Sequence, residues 1–148
     1  MQSHTPGKRA FITAAVFFII GGLTHSLAAL NGILAEPKTE SEAAYRQAAK
    51  DFNMTIGPLT PSAWDGTQIL SISYSILMIQ AGAVNLLIRK PAFAHAFIKP
   101  LTTINLIAAT ALLAVALAYQ FPPAVFFSAI IFAAFAASKI QQSKPTPP

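Results

Sequence analysis

The stretch AFITAAVFFIIGGLTHSLAAL at residues 10–30 decides the fold class, because it contains no charged side chain. An α-helix needs about 20 apolar residues to cross a bilayer core of about 30 Å. Three further uncharged stretches of similar length occupy residues 66–88, 101–120 and 121–138. The sequence therefore predicts an all-α integral membrane protein with four spans at about these positions.

The composition agrees with a membrane domain and excludes several other classes. Hydrophobic residues make up 54% of the 148-residue chain and charged residues only 10%, whereas a soluble domain has about 25% charged residues. This is too little charge to solvate four exposed apolar helices. The absence of cysteine excludes disulfides, thiolate catalysis and thiolate metal sites. The length fits one membrane domain, residues 1–148.

The distribution of charge predicts the topology. The net charge is +5, and the five acidic residues all lie within the first loop or at its border. Seven of the ten basic residues lie elsewhere: Lys8, Arg9, Arg89, Lys90, Lys99, Lys139 and Lys144. Because basic residues favour the cytoplasmic side of a membrane, we expect a multi-pass protein with both termini in the cytoplasm. The basic charge is then explained by the topology and by attraction to anionic lipid headgroups. The lipid bilayer is therefore an expected partner, and nucleic acid is not.

Local signals organise the segments between the spans. The outer loop, residues 31–65, contains a capping box at residues 39–42 (TESE), which predicts a short amphipathic helix on the membrane surface or over the bundle. A second capping box at residues 62–65 (SAWD) marks the start of span two. A short basic inner loop is predicted at residues 89–100, and the proline-rich tail at residues 143–148 is predicted to be disordered.

Helices in lipid pack through small and polar residues, so each span is expected to present such a stripe to its neighbours. The stripes follow alternating three- and four-residue spacing. They are Ala14, Phe18, Gly21, His25, Ala28 and Gly32 in span one; Thr67, Ser71, Tyr74, Met78, Gly82 and Asn85 in span two; Ile98, Thr102, Asn105, Ala109, Leu112, Ala116 and Tyr119 in span three; and Ala129, Ala133 and Ala137 in span four. Together they predict an up-down-up-down four-helix bundle.

His25 is the candidate functional residue, since it is the only histidine inside a predicted span. Asp65, Gln68, Ser71 and Tyr119 are expected in the same polar layer near the outer face. A histidine beside an acid and a tyrosine is suited to acid–base chemistry, so His25, Asp65, Ser71 and Tyr119 are the candidate catalytic residues. Two alternatives stay open for His25, a hydrogen bond to Ser71 or a backbone carbonyl and a contact with a partner subunit. Asp65 also fits a purely structural role as part of the capping box.

A second polar layer, formed by Thr102, Asn105 and Asn85, is expected toward the cytoplasm. No carboxylate or basic side chain lies within a predicted span. Ion channels and pumps normally carry such groups in the membrane, so the sequence argues against both.

Cofactor binding depends on His25 as well. A haem or chlorin at His25 is an alternative, because histidine is a usual axial ligand. His4 and His95 are expected across the membrane from His25, which argues against a bis-histidine haem. His25 and Asp65 would supply two of the three or four ligands that a metal ion usually needs. Apart from a haem or chlorin, no cofactor and no metal site are expected.

Several short stretches resemble a group of small bacterial four-span membrane proteins with no assigned activity. They are GGLTH at residues 21–25, LTPSAWD at residues 59–65, GAVNLL at residues 82–87 and the prolines Pro122 and Pro123. The resemblance extends over most of the chain. It implies a four-span fold and a place in the bacterial inner membrane, and it implies no activity.

The sequence favours a structural role over an enzyme. A small chain with no strong catalytic motif and with small-residue faces such as Ala129, Ala133 and Ala137 suits an accessory subunit of a larger inner-membrane complex, respiratory or photosynthetic. The alternative is a small membrane enzyme or binder of a lipid or quinone-like ligand at the outer leaflet, with His25 as its central residue.

Overall fold

The computed structural model describes residues 6–88, 91–118, 120 and 122–144. These residues form five helices: α1 (Lys8–Leu34), α2 (Glu40–Asp51), α3 (Ala63–Ile88), α4 (Pro91–Ala118) and α5 (Pro122–Gln142). Four helices are long and apolar enough to cross a membrane, namely α1, α3, α5 and the part of α4 from Phe97 onward. The predicted all-α class with four candidate spans is therefore confirmed. The predictions for Tyr119 and for residues 145–148 lie outside the described residues.

Helix α4 departs most from the predicted boundaries. The sequence predicts an inner loop at residues 89–100, but α4 begins at Pro91 and continues through Pro100. Proline suits the first turn of a helix, where backbone N–H groups have no helical partner. Inside the helix Pro100 removes one donor, and the hydroxyls of Thr102 and Thr103 donate to carbonyls one turn earlier, at 2.7 and 3.3 Å. Neither bond replaces the donor that Pro100 lacks, because the acceptor of that donor in a regular helix is the carbonyl four residues before the proline.

The chain divides into two compact units. The core unit consists of Met1–Gly21 and Met78–Pro148, and the loop unit consists of Gly22–Leu77. The core unit therefore contains the first half of α1, the second half of α3, and α4 and α5. The loop unit contains α2 and the adjoining halves of α1 and α3.

Aromatic packing forms the centre of the core unit. The fully buried ring of Phe135 on α5 lies 5.7 Å from Phe11 in an edge contact and 5.9 Å from Phe18. Such offset arrangements suit the aromatic quadrupole. Further buried residues of α1, α3, α4 and α5 complete the core: Ala14, Met78, Ile98, Ala109 and Ile131. The predicted stripes of spans one to three thus have most of their core-unit members buried.

The predicted stripe of α5 is wrong. Ala133 is exposed, and the buried residues of α5 are Ser128, Ile131, Phe135 and Ser138. The predicted set is spaced by four residues and the buried set by three and four, and both spacings place residues on one side of a helix, so periodicity alone does not choose between them. The choice is physical, because Phe135 fills the space between Phe11 and Phe18 and an alanine on that face would leave it empty.

Gly82 lets α1 and α3 approach closely in the core unit. A Cβ atom at this position would lie 2.6 Å from the carbonyl oxygen of Ala15 and 2.6 Å from Cγ1 of Ile19. No side chain fits at such distances without moving one of the two helices. Small residues at helix crossings have this role in membrane bundles.

Helix α2 in the loop unit begins at the predicted capping box. Thr39 is the N-cap, and its side chain accepts a hydrogen bond from the Glu42 N–H at 3.1 Å. The Glu42 carboxylate in turn accepts from the N–H of Lys38 at 2.9 Å, one residue before the expected partner. None of the residues of α2 is buried. Its location on a membrane surface stays a prediction.

A narrow two-stranded ribbon connects α2 to α3. Ile56 and Leu59 exchange both backbone hydrogen bonds, at 2.9 and 3.1 Å, and the Met54 N–H donates to the Pro61 carbonyl at 2.9 Å. Gly57 lies at the first central position of the turn with a φ of 59°. A positive φ there, followed by a proline, is typical of a type II′ turn, for which glycine is favoured.

Candidate functional site

His25 on α1 contacts Tyr74 on α3 within the loop unit. The two ring centroids are 5.3 Å apart and the planes make an angle of 85°, which is an edge contact. His25 is half-buried and Tyr74 is 38% exposed. Among the described residues, no hydrogen bond to either imidazole nitrogen is found. The imidazole is therefore held by packing, with its nitrogens available to a ligand or a partner.

The other predicted site residues have different roles or positions. Asp65 accepts a hydrogen bond from the Ser62 hydroxyl at 2.7 Å, and its own N–H donates to the Ser62 oxygen at 3.1 Å. This is the capping arrangement. Asp65 also precedes Tyr74 by nine residues, about 14 Å along the helix axis, which separates it from the ring pair. Tyr119 lies outside the described residues.

Ser71 is the remaining member of the predicted site. It lies one helical turn before Tyr74, about 4.5 Å along the axis, and is partly buried. Its carbonyl accepts a hydrogen bond from the Ser75 hydroxyl at 3.0 Å. A hydrogen bond between Ser71 and His25, the predicted alternative, is not found among the described residues. The structure thus brings Tyr74, rather than Asp65, to His25.

The predicted second polar layer is present in the core unit. The Asn105 amide on α4 donates to the Asn85 carbonyl oxygen on α3 at 2.9 Å. Asn85 is buried and Thr102 is fully buried. Because a buried amide without a partner is costly in a medium that offers no hydrogen bonds, the Asn85–Asn105 pair fixes the register of α3 against α4.

Helix α5 extends this layer with residues that the sequence analysis did not select. The Gln142 amide nitrogen donates to the hydroxyls of Thr102 and Ser138, at 2.9 and 3.0 Å. Ser138 donates to the Gly7 carbonyl at 3.0 Å, and the Lys139 ammonium donates to the Thr103 hydroxyl at 2.7 Å. The bonds from Gln142 and Lys139 join the first half of α4 to the end of α5.

The hydroxyl partners determine which way the Gln142 amide points. Thr102 and Ser138 each donate their hydrogen to a backbone carbonyl, so each can only accept from Gln142. The amide nitrogen must therefore face them. The Gln142 carbonyl oxygen is then buried and is without a hydrogen-bond partner among the described residues.

Arg46 joins three segments of the loop unit. Its guanidinium donates to the Ala35 carbonyl at 2.6 Å and to Glu42 at 2.5 Å, and it lies 5.5 Å from the centre of the Trp64 ring. The Lys38 N–H, followed by the Arg46 guanidinium, lowers the pKa of Glu42 below its ordinary value. Arg46 thus links the end of α1, helix α2 and the start of α3 through one planar group.

The chemistry available to these groups is limited. In the described part of the chain, no three His, Asp or Glu side chains come together in a group that could hold a metal ion. The Asn85–Asn105 layer consists of amides and hydroxyls with Lys139 at its edge, which suits structural hydrogen bonding. His25 is a titratable residue within a candidate span, and a ligand or an axial cofactor bond at this position stays a prediction.

Three residues with contacts in these two polar regions were missed for identifiable reasons. Ser138 and Gln142 continue the three- and four-residue spacing of Ile131 and Phe135, so a polar stripe was visible in α5 beside the alanine stripe. Tyr74 was assigned to the packing stripe of span two, one turn from Ser71, but not to the site. Both signals are present in the sequence, but each can be interpreted only when the neighbouring helix that it contacts is known.

Comparison with known proteins identifies no relative of this chain. No protein-family model matches the chain, and neither the curated proteins nor the solved structures give a match.

Proposed function

We propose that the chain is a small accessory or structural subunit of a larger complex in the bacterial inner membrane, of the respiratory or photosynthetic type, with both termini in the cytoplasm. The observation that carries this proposal is the outward face of α4. Ala108, Ala111, Ala114 and Ala118 are all exposed. The spacing from Ala111 to Ala114 and Ala118 places these three on one side of the helix.

A surface of this kind suits another helix better than lipid. Lipid chains pack as well against large apolar residues as against small ones, whereas small residues let two helix backbones approach closely. The inner half of the same face carries Ile104 and Ile107, which are 61% and 67% exposed. The exposed alanines of this face therefore lie toward the end of α4, where their small side chains permit the close approach of a partner helix.

The burial of the spans supports the same conclusion. Within the chain, only 17% of the apolar window of α4 is buried, compared with 33% for α1. Among the four apolar windows, that of α4 is thus the least buried within the described part of the chain. Its small exposed residues support a role of this surface in assembly.

The test is co-purification of the tagged, full-length chain from native membranes in a mild detergent. The proposal expects a stoichiometric complex, and Ala111→Leu or Ala114→Leu should lower its yield about tenfold or more, because overfilling a packed interface is costly. Ala28→Leu is the matched control, since Ala28 is also an exposed alanine of a span. Purification of the wild-type chain without any other protein would exclude an accessory role.

A second candidate function rests on the His25–Tyr74 pair. An imidazole with free nitrogens beside a partly exposed tyrosine offers one polar and one aromatic contact to a lipid or quinone-like headgroup at the outer leaflet. In this function His25 donates a hydrogen bond to the ligand or exchanges a proton with it, and Tyr74 orients the ring.

Native mass spectrometry of the purified chain with decylubiquinone or phosphatidylglycerol tests the second candidate. His25→Phe preserves an aromatic ring against Tyr74 but removes both nitrogens, so it should abolish ligand binding and leave the fold intact. Thr110→Val, a substitution on the exposed face of α4, is the control. Equal binding by wild type and His25→Phe would exclude His25 as the ligand's partner.

A further inference from the structure

Gln80 is an exposed polar residue within a membrane-spanning helix. It lies in the part of α3 that belongs to the core unit, eight residues before the helix ends at Ile88. Eight residues correspond to about 12 Å of helix. The Gln80 side chain is too short to bring its amide to the membrane surface from that depth, so the amide faces the hydrocarbon.

The exposed amide is unpaired within the described part of the chain. Among the described residues, none donates to or accepts from the Gln80 side chain. Exposed hydroxyls of the spans are satisfied differently, since Thr110 donates to the Leu106 carbonyl of its own helix at 2.8 Å. An amide has two donor hydrogens and one acceptor oxygen, and an unmet amide in lipid is costly. Gln80 therefore requires a group from outside the chain.

The neighbours of Gln80 form a face suited to helix pairing. Val84 and Leu87 follow at four and seven residues, which places them on the same side of α3. They are 44% and 60% exposed. Gln80, Val84 and Leu87 have the alternating four- and three-residue spacing of a helix-pairing seam. A buried amide within such a seam sets the register of the two paired helices.

From these observations we infer that α3 pairs with α3 of a second copy of this chain, with the two Gln80 amides hydrogen-bonded to each other. An amide is its own complement, because each copy supplies a donor and an acceptor. Two copies have the same orientation in the membrane, so a two-fold axis along the membrane normal brings Gln80 opposite Gln80 at equal depth. Val84 and Leu87 then pack beside the amide pair.

This inference is independent of the proposed accessory role, since it concerns the α3 face and needs no other protein. Its test uses the full-length chain purified alone and reconstituted at low density in vesicles of phosphatidylethanolamine and phosphatidylglycerol. The natural chain has no cysteine, so a single introduced cysteine reports one position. Leu87→Cys should form a disulfide-linked dimer on oxidation.

Two comparisons decide the outcome. Ile104→Cys is the control, because Ile104 is as exposed as Leu87 and lies on a different helix, α4. In the Leu87→Cys background, Gln80→Leu should weaken dimerisation about three- to tenfold, the range expected for one hydrogen bond between membrane helices, and Gln80→Asn should weaken it less. Since Gln80 is exposed, Gln80→Leu should leave the helical content of the chain unchanged.

Equal cross-linking of Leu87→Cys and Ile104→Cys would overturn the inference, because collisions in the membrane would then explain the product. An unchanged yield in Gln80→Leu would also overturn it, since the amide would not contribute to pairing. A complex with another subunit that forms while the reconstituted chain stays monomeric would leave the accessory role intact and exclude self-pairing through α3.

Discussion

The Asn105 amide on α4 donates a hydrogen bond to the carbonyl oxygen of the Asn85 side chain on α3, at 2.9 Å. Asn85 is only 3% exposed, so water or lipid headgroups do not replace this partner. In a bundle where apolar contacts with lipid and with protein are nearly equivalent, one such bond has a large share in specifying which helices pair.

Asn105→Leu is therefore expected to destabilise the bundle by about 0.6–1.7 kcal/mol, the range for hydrogen bonds between membrane helices. Reversible unfolding in mixed micelles, followed by circular dichroism, measures this free energy. Asn85→Leu combined with Asn105→Leu should cost less than the sum of the two single changes, because the second removes the amide left unpaired by the first. Additive costs in this cycle would show that the two amides do not interact.

The control for this pair is Thr110→Val. The Thr110 hydroxyl is exposed and donates to the Leu106 carbonyl within its own helix, so its removal affects no contact between helices. A change within about 0.5 kcal/mol is expected, as for other substitutions on exposed surfaces.

Gln142 also hydrogen-bonds to residues of two helices, but its replacement is expected to change the unfolding free energy little. Its carbonyl oxygen is buried without a partner, and the hydroxyls that it contacts keep their own carbonyl acceptors when it is removed. Gln142→Met should therefore change the unfolding free energy by less than about 1 kcal/mol. Ser138→Ala should cost more, about 1–3 kcal/mol, because it leaves an amide hydrogen of Gln142 facing a methyl group. The reverse order would show that the Gln142 amide is oriented differently.

The sequence predicted the packing faces where small or polar residues mark them, and failed where two faces looked alike. Asn85, Thr102 and Asn105 were selected because polar groups in a span must face protein. In α5 the exposed Ala133 and the buried Phe135 lie on two stripes whose spacings both place residues on one side of a helix. Only the shape of the surface formed by α1 shows which stripe turns inward, and that shape is not a local property of α5.

The candidate site was predicted in part for a similar reason. His25 was selected because a titratable group in a span is unusual. In the structure it contacts α3 through Tyr74, and a functional role for it stays a prediction. Asp65 was grouped with it by depth alone, whereas the nearby Ser62 hydroxyl already binds its carboxylate. A short-range capping bond that forms with the helix prevails over a contact that depends on how two spans pack.

Gly82→Ala tests the close approach of α1 and α3. The new methyl group would lie 2.6 Å from both the Ala15 carbonyl oxygen and Ile19, so the helices must separate and the expected loss is about 1–3 kcal/mol. Gly32→Ala is the matched control, because nothing lies within 4 Å of its Cβ position. It should stabilise α1 by about 0.5–1 kcal/mol through helix propensity. Mixed-micelle unfolding compares the two, and equal effects would contradict the close approach at Gly82.

Acidification should loosen the loop unit through Glu42. The Lys38 N–H and the Arg46 guanidinium lower the pKa of Glu42 from its ordinary value of 4.5. Because the folded pKa is lower than the unfolded one, the carboxylate stabilises the loop unit fully above about pH 4.5 and loses this effect as the pH falls through the lower, folded value.

Trp64 reports this transition, since it is the only tryptophan of the chain and lies against the Arg46 guanidinium. Its fluorescence should change reversibly below pH 4.5 as protonated Glu42 releases Arg46. Glu42→Gln should show the acid-like emission at neutral pH and lose this titration. Glu40→Gln removes a carboxylate from the same first turn of α2 and should keep the wild-type profile. A titration that persists in Glu42→Gln would assign the pH response to another group.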